Sequence, residues 1–167
     1  MTKKIIWTTL LITAAAVLQS TLLSPLSVYF YAKPDIALDI LVFSAYLNGV
    51  MTGQLSGFFS GLFMDFLSNA PLGLNLFVRT IIGAVSGLLN GSFLIDSVFF
   101  PVLLCASATL LKAAILALLN ILFAGVVPAY SLTAPALWVE LAMNSALAPL
   151  IFILLKMFNN FLSKRRR

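Results

Sequence analysis

Residues 49–91 read GVMTGQLSGFFSGLFMDFLSNAPLGLNLFVRTIIGAVSGLLNG, and their reading decides the fold. Gly49, Gly53, Gly57, Gly61 and Asp65 fall at successive steps of four. After the turn at residues 68–73, Arg79, Gly83, Gly87 and Gly91 repeat that step. Four residues turn an α-helix through about 400°, so each row stays on one slowly drifting face. Most of the residues between are Leu, Phe, Ile, Met and Val. The stretch predicts two antiparallel helices, each with a glycine groove on one face. In water each glycine would disfavour helix by about 1 kcal/mol. In lipid, where apolar side chains gain nothing by choosing protein over hydrocarbon, small residues at steps of four let backbones touch. The pattern makes sense only in a membrane. Gly53, Gly57, Gly61, Gly83 and Gly87 are the candidates for helix packing or for receiving a partner helix.

Composition agrees. Hydrophobic residues are 62% of 167 and charged residues 9%, against about 25% charged in a soluble domain. The expectation is one all-α integral membrane domain over residues 1–167, a six-helix bundle. The net charge of +5 does not point to nucleic acid, because four of the ten basic residues are Lys164, Arg165, Arg166 and Arg167. That cluster reads as a topology signal that also meets anionic membrane lipid. One cysteine and no histidine leave no cysteine–histidine metal site and no histidine-based triad. The sequence carries no GxxxxGK[ST] phosphate loop. No enzyme, cofactor or metal is expected.

Along the chain, the spans are expected at about 5–23, 35–48, 51–67, 74–92, 97–123 and 136–161. The apolar run over about 36–67 would make about 48 Å of helix, too long for one crossing, and Asn48-Gly49 is the weakest place in it. Pro34 suits a helix start, and Asp35 and Asp39 lie where a helix N-terminus favours negative charge. Pro71 and Gly73 form the hairpin turn, and Pro149 is expected to kink the last helix. Six crossings put both termini on one side. Lys3, Lys4, Lys156 and the basic tail make that side cytoplasmic.

Asp65, Arg79, Lys112 and Glu140 fall within or near the apolar core. Each costs about 2.5–3.5 kcal/mol at the bilayer centre, so they should face protein and pair. The expected pairs are Asp65 with Arg79 across the hairpin and Lys112 with Glu140, with Asn144 on the same face as Glu140. Three roles stay open for them: internal staples, a ligand or proton path, or contact points for another membrane protein.

The set Pro34-Asp35, Tyr46, Gly53-x3-Gly57-Phe58-x2-Gly61-Leu62-x2-Asp65, Pro71-Leu72-Gly73 and Gly83 to Gly87 resembles the MreD family. Asn144, Pro149 and the basic tail are also similar, so the resemblance covers nearly the whole chain. It implies a non-enzymatic, multi-pass scaffold of the bacterial cytoplasmic (inner) membrane. The implied partners are MreC, the actin-like MreB, and RodA with its class B penicillin-binding protein. Together these direct peptidoglycan synthesis and cell shape. Such proteins also look like the substrate-binding membrane subunits of energy-coupling-factor transporters. The alternative is therefore a small-molecule-binding subunit, which needs a pocket of convergent polar groups.

Overall fold

The structure is a computed structural model that describes residues 2–22, 32–92, 99–127 and 133–157. Among them are six helices and no strand: α1 (Thr2–Leu22), α2 (Ile36–Asn48), α3 (Val50–Leu67), α4 (Leu74–Leu88), α5 (Phe99–Leu122) and α6 (Pro135–Met157). Asp96 and residues 158–167, with the basic tail, lie outside the described residues. Two helices, Phe99–Leu122 and Pro135–Lys156, are long and apolar enough to cross a membrane; Ile5–Thr21, α2 and α4 are shorter apolar helices.

The organising element is α2 rather than the glycine hairpin. It packs against every other helix. Its residues Ala37 to Tyr46 are all buried. A helix that is apolar on every side is stable only when wrapped on every side. Asp39 is the one carboxylate among those ten buried positions. Phe43 packs on Phe152 of α6, and Tyr46 on Phe100 of α5.

The partners of α2 fix the directions of its neighbours. Asp35 meets Arg79, and Tyr46 meets Asn90, at the same sequence separation, so α2 and α4 run parallel. Asp35 with Asn144 and Phe43 with Phe152 make α6 parallel to α2 in the same way. Asp35 with Lys112 and Tyr46 with Phe100 make α5 antiparallel. Thr8 of α1 meets Ser56 of α3, and Gln19 meets Ala37, so α1 runs with α3 and against α2. Consecutive helices therefore alternate in direction, and α1 starts at the end where α6 finishes.

The pairing of α3 with α4 is the most extensive in the bundle. A Cβ on Gly53 would strike the Gly83 carbonyl oxygen, one on Gly57 the Arg79 carbonyl, one on Gly61 Leu76 Cα, and one on Gly87 Val50 Cα. The two rows thus close on each other, backbone to backbone. The two outermost glycines do something else. Gly49, with φ +85°, separates α2 from α3, and Gly91, with φ +76°, lies past α4; neither has a neighbour within 4 Å of a Cβ position. They supply a backbone conformation that side chains disfavour. The fourth helix stops at Leu88 rather than reaching Ser92. Asn90 turns aside and its side-chain amide donates to the Tyr46 carbonyl near the end of α2, while Asn90 N–H closes onto the Gly87 carbonyl.

Candidate functional site, a charge cluster at a buried helix end

The N-terminus of α2 lies level with the middle of α5, because Asp35, its cap, touches Lys112. The first N–H groups of a helix have no partner within the helix, and inside an apolar bundle water does not supply one. Side chains do so here. Asp35 N–H donates to Asn144 Oδ1 at 2.8 Å, Ala37 N–H to Gln19 Oε1 at 3.2 Å, and Leu38 N–H to Asp35 Oδ1 at 3.1 Å. Asn144 is held in turn by its own Nδ2, which donates to Thr109 Oγ1 at 3.0 Å. Pro34, just before the cap, is buried.

Asp35 is also the centre of the ionic contacts. Arg79 Nη2 donates to Oδ1 at 2.8 Å, and Lys112 Nζ to Oδ2 at 2.9 Å. Lys112 reaches on to Glu140 Oε1 at 2.6 Å. Two cations and two carboxylates from four helices form one chain, Arg79–Asp35–Lys112–Glu140. A buried charge costs several kcal/mol unless paired, and this arrangement pairs all four. The Lys112 side chain is the most open of them, at 19% exposure.

Asp65 is elsewhere, and its expected pairing with Arg79 is not formed. Its carboxylate accepts from Gly73 N–H and Asn75 N–H at 2.9 Å, Leu76 N–H at 3.2 Å and Asn75 Nδ2 at 3.0 Å. It therefore caps the first turn of α4, where the helix dipole favours an anion. Gly73 is the residue before that helix, in the left-handed conformation, and Pro71 closes the turn through its carbonyl to Leu74 N–H. Arg79, lacking that partner, points across to α2. Lys112 and Glu140 do meet, but as two members of a longer chain. Gly53, Gly57, Gly61, Gly83 and Gly87 are turned into the α3–α4 contact, so a partner helix cannot use that groove. Pro149 lies inside α6, which continues past it to Met157.

Sequence reasoning missed Asp35 as a member of the ionic set, reading it only as a helix-start acid. It also missed Gln19, Thr109 and Asn75. The available signal was that Asp35 precedes a helix with no polar face, whose start must be deep.

A family model described as rod shape-determining protein MreD matches residues 1–158. The chain belongs to the MreD family. It is thus a member of a family of rod shape-determining membrane proteins, and not of a known enzyme family. Comparison with curated proteins and with solved structures gives no match. Within the MreD family frame, the described residues hold no group of three or more histidine, cysteine or acidic side chains fit for a metal ion.

Proposed function

We propose that this MreD-family protein is a non-enzymatic scaffold of the bacterial rod-shape complex. It crosses the inner membrane six times, with both termini in the cytoplasm. It binds MreC and helps position RodA and its class B penicillin-binding partner, with MreB, for sidewall peptidoglycan synthesis. Rod-shape determination comes with the family. The observation that supports a scaffold over a small-molecule carrier is the occupied end of α2. A broken helix inside a membrane bundle commonly points its N-terminus at an anionic ligand. Here Asp35, Asn144 and Gln19 fill that place, and both nearby cations are engaged by carboxylates. The polar groups at the centre hold helices to each other. The partner surface then lies on the outer helix faces, away from the closed glycine seam.

The test is purification of the tagged protein in gentle detergent from cells that also make MreC, with mass spectrometry of what co-elutes. Co-elution of MreC is expected. Recovery of a vitamin or of an ATPase pair, without MreC, would replace the scaffold by the transporter subunit.

A further inference from the structure

We draw no further inference here: the strongest candidate, the exposed phenylalanine face of the α3–α4 hairpin formed by Phe58, Phe59, Phe63, Phe66 and Phe77, carries nothing because nothing in the structure shows what covers it.

Discussion

At the scale of single residues, Asp35 and Asp65 invite opposite reactions to the same change. Asp35→Asn removes the carboxylate that holds both Arg79 and Lys112. It leaves Arg79 buried without its ion-pair partner, and breaking such a pair costs about 3–5 kcal/mol. Asp65→Asn removes a charged cap but keeps one acceptor near the α4 N–H groups, so its cost should be about 1–2 kcal/mol. Thermal unfolding of the two purified variants in one detergent gives the order, with Asp35→Asn the less stable. Exchanging Asp65 and Arg79 should rescue nothing, because the two do not touch. The sequence made both acids visible but not their roles. An acid at a helix start reads as a surface residue unless the helix starts deep, and depth depends on how far α5 extends beside α2.

At the scale of elements, the glycine rows were legible because their cause is local. A step of four on a helix is a face, and a face without side chains permits backbone contact. What the rows meet was not legible, since an open groove and a closed seam have the same spacing. The closed seam changes what substitution does. Gly57→Leu places a side chain against the Arg79 carbonyl and Thr80 Cα, neither of which can move aside. Overpacking ordinarily costs about 1–3 kcal/mol, and contact with backbone puts this case at or beyond the upper end. The expected outcome is loss of a monodisperse peak on gel filtration, not selective loss of a partner. Phe59→Leu, on an exposed face of the same helix, should leave the peak intact. The end of α2 at Asn48-Gly49 was equally legible, from a glycine after an asparagine in an overlong apolar run. The end of α4 was not, because Asn90 leaves its helix for the Tyr46 carbonyl, a contact 44 residues away in sequence.

At the scale of the whole molecule, a short buried helix explains why so apolar a chain keeps a polar centre. With 13 residues α2 is about 20 Å long, short of a hydrocarbon core of about 30 Å. A short helix ends inside, an internal end needs acceptors, and the acceptor Asp35 needs cations. The cluster is the consequence of the hub. The alternating directions around that hub carry the last prediction. Asn69 and Ser92 are exposed residues in the turns at opposite ends of α4. If α4 crosses the membrane with both chain termini in the cytoplasm, Asn69→Cys should react with an impermeant thiol reagent in intact spheroplasts. Ser92→Cys should react only after the membrane is opened. Cys105 is fully buried on α5 and should stay unlabelled until denaturation, serving as an internal control. Labelling of both sites from the same side would mean that α4 does not cross. A reversed pattern would keep the six crossings but place the termini outside, against the basic residues that flank them.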